Sequence, residues 1–499
     1  MRLILLLILL VLPLPAHAAP VLAIASSIWS AITTFAAASV WGGILVKLAI
    51  GVVFSALGRA LSKGKAQKGV GTPQTTTGEV NQETFILGTY ATAGQLVFPM
   101  LTHGSSQYKT VVIALACQPR HALLRVGFND KWVAKSGVKH ADYGDEFGDG
   151  YEGIAWVKYY DGTQLAADPM LVSKYGGHAD YPYTTDMVGR GVCYAILTLK
   201  YSAEKFGGAV PQLMFEMQGP PLYDVRQDST MGGSGPQVWG DPSTWAFSQN
   251  PVVIAYNIMR GIDIGAGDPA WGAGVDGDDL RYSSWAAAMD KCDEVVSGAP
   301  RYQAGFEVRI GDSPARVLEE INKAAAAEMV DVGGEWLIRA GSPALPTGVL
   351  TDGDILSSES RQLRPGVSRE VAYNAVAAAW PDPALVYQPP ASGLLIDPVA
   401  QAHAKGRRQQ ADINLPAVTN AAQVERLKAD WLADAQRWRT HALSLPPSFA
   451  AREPLDVLAF TSDREGYSAR LFEIQTMIVD PHTLASQFVL REVAAGDWT

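Results

Sequence analysis

The side chains that could carry chemistry in this chain are scattered rather than gathered. Its eight histidines are His17, His103, His121, His140, His178, His403, His441 and His482. A zinc site needs ligands a few residues apart, or the paired histidines of an H-E-x-x-H turn, and no pair here has that spacing. The three cysteines, Cys117, Cys193 and Cys292, are too far apart for a C-x-x-C knuckle and form no disulfide framework. Cys193 lies in an alternating apolar run and reads as a small buried hydrophobe rather than a reactive thiol. So sparse a set fits assembly in a reducing cytoplasm. Gly232-Gly233-Ser234-Gly235-Pro236 misses the nucleophile elbow at its last position. Gly265-Ala266-Gly267 lacks the third glycine of a dinucleotide loop, and there is no P-loop. Two acidic, glycine-rich stretches, Asp142–Gly153 and Asp276–Leu280, offer oxygen ligands for calcium without the spacing of an EF-hand, so solvated turns are expected. Paired carboxylates for glycoside hydrolysis stay open, because the chain alone gives no geometry. No residue is singled out as catalytic, cofactor-binding or metal-ligating. The expectation is no enzyme and no cofactor.

The elements around these residues belong to a large folded protein. The 499 residues exceed what one core serves, so about three or four domains are expected. Apolar residues are 48% and charged ones 18%, a folding composition rather than a disordered one. The net charge is −10 and no basic block occurs. A protein that grips nucleic acid needs the opposite.

The N-terminus is unusual. Arg2, an apolar run Leu3–Leu14 and Ala16-His17-Ala18 imitate a secretory signal. Yet no Asp, Glu, Lys or Arg appears between Arg2 and Lys47, leaving room for two apolar helices, the second from about Trp29 to Leu61. Small residues dominate Ala31–Gly43, which lets helices approach closely. Three readings fit residues 1–61: a signal peptide followed by a membrane anchor, an apolar plug inside an oligomer, or a segment released into a target membrane. The polar, Lys- and Gly-rich stretch 62–80 is a linker.

The remainder divides into a β-rich region over 81–242, with a polar insertion or loop system at about 135–183, an α+β region over 243–345, and a second β-rich region over 346–499. Strands are expected at Lys109–Cys117, Ala122–Val133 (folding at Asn129-Asp130), Gly191–Tyr201 and within Pro211–Gly219. Ser243–Met259 and Ser283–Val296 carry helical spacing. In the next helix Ser313 is the N-cap, Pro314 the first helical position, and Val317, Leu318, Ile321, Ala324 and Ala325 one apolar face. Gly333-Gly334 turns a hairpin. REVAYNAVAAAW and PALVYQP read as strands. A helix over about 420–440 starts with Asn420 and Gln423 in capping-box form and points Val424, Leu427, Trp431 and Trp438 inward. PLDVLAF and SARLFEIQTMIV close the chain as strands. The fold class is α+β, predominantly β.

These blocks, in this order, resemble the hub region of the lambda tail-tip protein J family over about Leu115 to Leu490. The clearest segment is GVCYAILTLKYSAEKFGGAVPQLMFEMQGPPLYDVR, where Lys200, Tyr201, Phe206, Gly208, Val210, Pro211, Gly219, Tyr223, Asp224 and Arg226 stand at the family's positions. Trp245, Asn250 and Pro251 carry the next block, and Gln118-Pro119-Arg120-His121 departs from the family's Glu-Gly-Pro turn. Phe206, Trp245 and Trp336 are expected in the core, and Tyr223, Asp224 and Arg226 as a structural strand-end cluster. The resemblance implies a homotrimeric baseplate hub at a virion tail tip, assembled in the host cytoplasm, with two tube-like β-barrels per subunit. Its implied partners are tail tube or distal tail proteins, a tape-measure protein, and a separate receptor-binding fibre, since the chain ends just past the hub region. The host membrane is a further partner through residues 1–61. DNA would pass without specific binding, as an acidic surface allows. A secreted or membrane-anchored binding protein and a tail-associated murein hydrolase are the alternative readings.

Overall fold

The computed structural model describes residues 82–494 and 496, apart from 207–208, 265–270, 342, 344, 370–371, 392 and 481. The apolar stretch 1–61 and the linker 62–80 lie outside the described residues. Among the described residues no helix is long and apolar enough to cross a membrane.

The first β body holds two antiparallel sheets. One has six strands, in the order Gln95–His103, Tyr108–Ala116, Cys193–Lys200, Ala155–Asp161, Gly144–Phe147 and Lys135–His140. The other has five: Gly305–Arg309, Thr84–Thr92, Leu213–Gln218, Ala122–Phe128 and Lys131–Val133. Side chains alternate across a strand, so each sheet sends one set inward. Ile86, Ile113, Val126, Phe147, Leu197 and Phe215 from both sheets make one core. The strand Cys193–Lys200 is buried on both faces, because Leu171, Tyr175 and Tyr183 cover its outer side. Asn129 and Asp130, both at positive φ, make the expected two-residue turn. The polar run 135–183 is not a loop system: it supplies three of the six strands and the helix Pro169–Tyr175. The buried Asp168 starts that helix, accepting from the Leu171 N–H at 2.8 Å, Lys158 at 2.7 Å and the Tyr160 hydroxyl at 2.7 Å.

The middle of the chain packs three helices, Pro251–Arg260, Tyr282–Asp293 and Pro314–Ala324, around a hairpin of Glu328–Val332 and Glu335–Arg339. Asn250 caps the first helix by accepting from Val252 and Val253 N–H, with Pro251 beginning its first turn. Pro314 starts the third as expected, although the Ser313 side chain makes no capping bond. Val317, Leu318, Ile321, Ala324 and Ala325 are all buried. Gly333 and Gly334 turn the hairpin at φ 67° and 102°, a backbone that side chains rarely adopt. Trp285 sits at the centre, fully buried, its ring edge-on to Tyr256 at 5.3 Å and its Nε1 donating to the Trp336 carbonyl at 2.9 Å. The strand Thr84–Thr92 joins this core to the first β body: Phe85 and Leu87 belong to one, Ile86 and Tyr90 to the other.

Later residues split between two places. A small sheet of Leu395–Ile396, Ala375–Ala379 and Gln410–Asn414, with the helix Ala421–Asp434, adds Val376, Ile413, Val424 and Leu427 to the central core. A six-stranded sheet forms a second β body in the order Pro346–Thr351, Val457–Ser462, Tyr467–Val479, Ser486–Glu492, Thr440–Leu445 and Gln362–Arg364. Its first pair is parallel and the others antiparallel. Leu443, Phe460, Phe472, Ile474 and Leu490 form its own core.

Several expectations need correction. None of the described sheets closes into a barrel. One end strand of each six-stranded sheet is of a kind that stops pairing. Lys135–His140 is exposed throughout, carries two lysines and loses register with its neighbour between Lys135 and Lys139, while Gln362–Arg364 is only three residues long. PALVYQP is not a strand. Pro383–Leu385 is a 3-10 turn, and Val386 and Tyr387 take left-handed φ of 53° and 62°. Both side chains enter the core of the first β body. The helix expected over 420–440 stops at Asp434, so Trp438 falls beyond the helical repeat and is exposed, and Trp431 is half-buried against Tyr373. Asn420 does cap it, but Gln423 closes no capping box. Instead the Gln423 amide reaches both backbone groups of Gln303 and the Ala324 carbonyl. Phe206, Trp245 and Trp336 are half-buried at the rims of their cores.

Candidate functional site

Tyr223, Asp224 and Arg226 form a knot that ties the exit of the strand Leu213–Gln218 to the central helices. The buried Tyr223 hydroxyl donates to Asp228 at 2.7 Å, and the Asn257 amide bonds both backbone groups of Tyr223. Arg226 reaches Asp224 at 2.6 Å, Asp290 at 2.7 Å and Asp293 at 2.8 Å. A guanidinium shared by three carboxylates holds a shape. Lys200 closes its strand, and Tyr201 beyond it is exposed.

The described histidines lie apart, except that His103 and His140 both pack on Tyr143. His103 bridges the Tyr175 and Tyr143 hydroxyls at 2.8 and 2.9 Å, and His140 stacks on Tyr143. His121 is buried, with Nε2 accepting from the Ile86 N–H at 3.1 Å and Nδ1 2.9 Å from the Gln118 carbonyl. Burial pushes its pKa down to about 4. His441 is buried among Phe460, Tyr467 and Phe472 in the second β body. Burial, then the charges of Arg361 and Arg439, push it down to about 4 as well. His178, His403 and His482 lie in a loop, at the end of a short helix and in a turn. None of the cysteines is paired, and burial pushes the Cys117 thiol up to about 12. Cys193, fully buried, donates to the Gln118 carbonyl at 3.1 Å.

The acidic loops are occupied by their own chain. Asp149 accepts from the Ala134 N–H, Glu146 from Ser136 and the Gly153 N–H, and Asp145 pairs with Lys135 and Lys139. Burial favours a proton on Asp145, but the two lysines outweigh it and hold the carboxyl below its usual range. In the second loop Asp276 turns back on the Asp278 N–H and stands 3.8 Å from Arg260. Among the described residues no three His, Cys, Asp or Glu gather as metal ligands.

Two other features stand out, and residue spacing had not singled them out. The first is a pair of sheet ends. Gln95–His103 exposes Val97 and Met100, and Pro346–Thr351 exposes Val349, each on the end strand of a six-stranded sheet. Unpaired backbone groups beside exposed apolar side chains are a template for another chain. QLVFPMLTH already departs from apolar–polar alternation, which was the available signal. The second is the clasp made by residues 381–388. Trp132 Nε1 donates to the Pro383 carbonyl at 2.6 Å, and the Tyr387 hydroxyl donates to Glu216 at 3.2 Å. Arg125 bonds Glu216 with both N–H groups at 2.5 and 2.6 Å and lies 4.3 Å over the Trp132 ring. The later part of the chain is thereby fastened to the first β body.

Residues 313–476 match a family described as putative phage tail protein. No curated protein matches the sequence. Among solved structures, the fold resembles a chain in the virion of a native gene transfer agent particle, with a TM-score of 0.57 and 17% identity over 98% of both chains. Looser overlays, each with a TM-score of 0.32, are found with a tail protein of Neisseria meningitidis MC58 (8% identity, 84% of this chain and 98% of that one) and a 43 kDa tail protein of prophage MuSo2 from Shewanella oneidensis (10%, 84% and 96%). Residues 313–476 thus carry a match to a phage tail protein family, within a fold similar to that of a virion component.

Proposed function

We propose that this chain is the baseplate hub at the distal tip of a bacteriophage-type tail. It acts as a homotrimer that closes the tail tube, docks tip proteins and opens for DNA. The observation that carries this reading is the pairing of two β bodies on one central core, each with a six-stranded sheet whose end strand bears exposed apolar side chains. Three subunits then present six such sheets, the number that meets a sixfold tube, and the open edges become joints between neighbours. The role is structural rather than enzymatic, and DNA passes an acidic protein without being gripped. Tail tube, distal tail and tape-measure proteins lie above the hub, and a separate fibre binds the receptor. Residues 1–61 are the part offered to the tube lumen or the host membrane. Light scattering on the full chain should give the mass of three copies. A stable, well-folded monomer with no affinity for tails overturns the proposal.

A further inference from the structure

The hairpin of the central core meets the second β body through charges. Glu473, on the strand Tyr467–Val479, is fully buried, and Glu328, on the hairpin, nearly so. Arg339 stands between them, its Nη2 3.0 Å from Glu328 Oε2 and 2.6 Å from Glu473 Oε2. The two carboxyl oxygens thus flank one and the same nitrogen. Gln475 donates to the other Glu473 oxygen at 2.8 Å. Arg491, opposite Glu473 on the neighbouring strand, turns to Asp434 of the helix Ala421–Asp434 at 2.5 Å. Two carboxyl groups thus lean on one guanidinium, and the next cation is engaged by a third carboxylate.

Geometry says which protonation state fits. Despite its closeness to Arg339, Glu473 Oε2 accepts no aligned hydrogen bond. An ionised oxygen left so in a buried interface is costly, and two like charges side by side cost more. A proton on Glu473 removes the surplus charge and turns that oxygen into a donor toward Glu328. We propose that Glu328 and Glu473 share a single proton beneath Arg339. This proton latches the central core to the second β body, and the junction loosens when mild alkali removes it. The electrostatics run the same way. Burial dominates, Arg339 opposes it and Glu328 adds to it, so the Glu473 carboxyl is pushed up to about 8. Because the folded chain holds this proton more tightly than the unfolded one, the latch contributes fully below about pH 4.5. Its contribution is lost as pH rises through about 8.

Two readouts on the full chain test this. Infrared spectra near neutral pH should show a protonated carboxyl band that Glu473→Gln removes. Hydrogen exchange of the hairpin, corrected for intrinsic rates, should show an opening constant that rises up to about tenfold per pH unit between roughly pH 5 and 8. Glu473→Gln keeps the shape and a donor but cannot titrate, so its profile should be flat. A native chain with only ionised carboxylates at pH 6, or a Glu473→Gln profile as steep as the native one, overturns the latch. If that variant does not fold, Glu328→Gln decides. Burial also favours a proton on Glu307 and Glu320, so only a band that is lost when Glu328 no longer shares the proton supports the latch, and a band unchanged in that variant overturns it.

Discussion

The two β bodies have a six-stranded sheet each and are built on different principles. The first is a layered structure: a second sheet covers one face, and the helix Pro169–Tyr175 with Tyr183 covers the other. Its boundary with the rest of the chain is mostly apolar, with Val386 and Tyr387 inserted into its core and Tyr387 edge-on to Tyr90 at 5.1 Å. The second is one sheet around a small aromatic and aliphatic core. It meets the central core through Glu328, Arg339 and Glu473, and through Arg281, which bridges Glu335 and Glu453. Apolar burial is indifferent to pH and has no preferred direction, whereas buried charge is sensitive to both pH and alignment. Strand count alone therefore does not make the bodies equivalent. One is fused to the centre and the other is docked on it.

The strongest challenge to that contrast is to empty the centre both bodies share. Trp285→Ala should cost about 3–5 kcal/mol in denaturant unfolding, and signals from both bodies should move together. A loss confined to one body would mean that the centre is not common ground. Next is the clasp. Tyr387→Ala removes a ring from the first core and a hydroxyl from Glu216, and should cost about 3 kcal/mol. Tyr387→Phe should cost about 1 kcal/mol. Equal costs for the two would place the energy in the hydrogen bond and end the description of an apolar junction.

Acid titration sharpens the comparison further. His121 in the first body and His441 in the second are both held neutral, titrating at about 4 when folded. An unfolded chain takes up these protons from about pH 6.5 downward. Stability is thus present above that value and is lost as pH falls toward about 4, by up to about 1.4 kcal/mol per pH unit for each histidine. His121→Gln should relieve the acid loss in the first body only, and His441→Gln in the second only, as read by amide protection in each. The smallest expected effect is at Trp438. Being exposed, it should change stability by less than about 0.5 kcal/mol when replaced by Ala, against about 2–5 kcal/mol for the buried Leu427→Ala. A large loss at Trp438 would put that ring inside a contact the single chain does not show.

Legibility in the sequence followed the range of the interactions. Asn250-Pro251, Gly333-Gly334, Asn129-Asp130 and the face Val317 to Ala325 act through neighbours a few residues away, and each is where its local chemistry puts it. The failures lie where distant partners decide. Val386 and Tyr387 alternate like a strand, but the distant first core pulls them into a left-handed turn, with Tyr387 bonding Glu216, 171 residues away. Gln423 has the spacing of a capping box, but Gln303 and Ala324 claim its amide. Trp438 continues a repeat whose helix has already ended. Closure of the sheets is equally non-local, since a barrel needs its two end strands to meet. The Glu328–Arg339–Glu473 cluster had no signal in spacing at all, because its carboxyl groups come from two separate bodies.

Both bodies are proposed to serve one hub at the end of a tail. Cryo-electron microscopy of intact particles tests it most directly. The prediction is three copies on the tail axis, with the sheets containing Gln95–His103 and Pro346–Thr351 alternating around the lumen beneath the tube. Six copies in one ring, a position away from the axis, or tips that lack the chain altogether would contradict it.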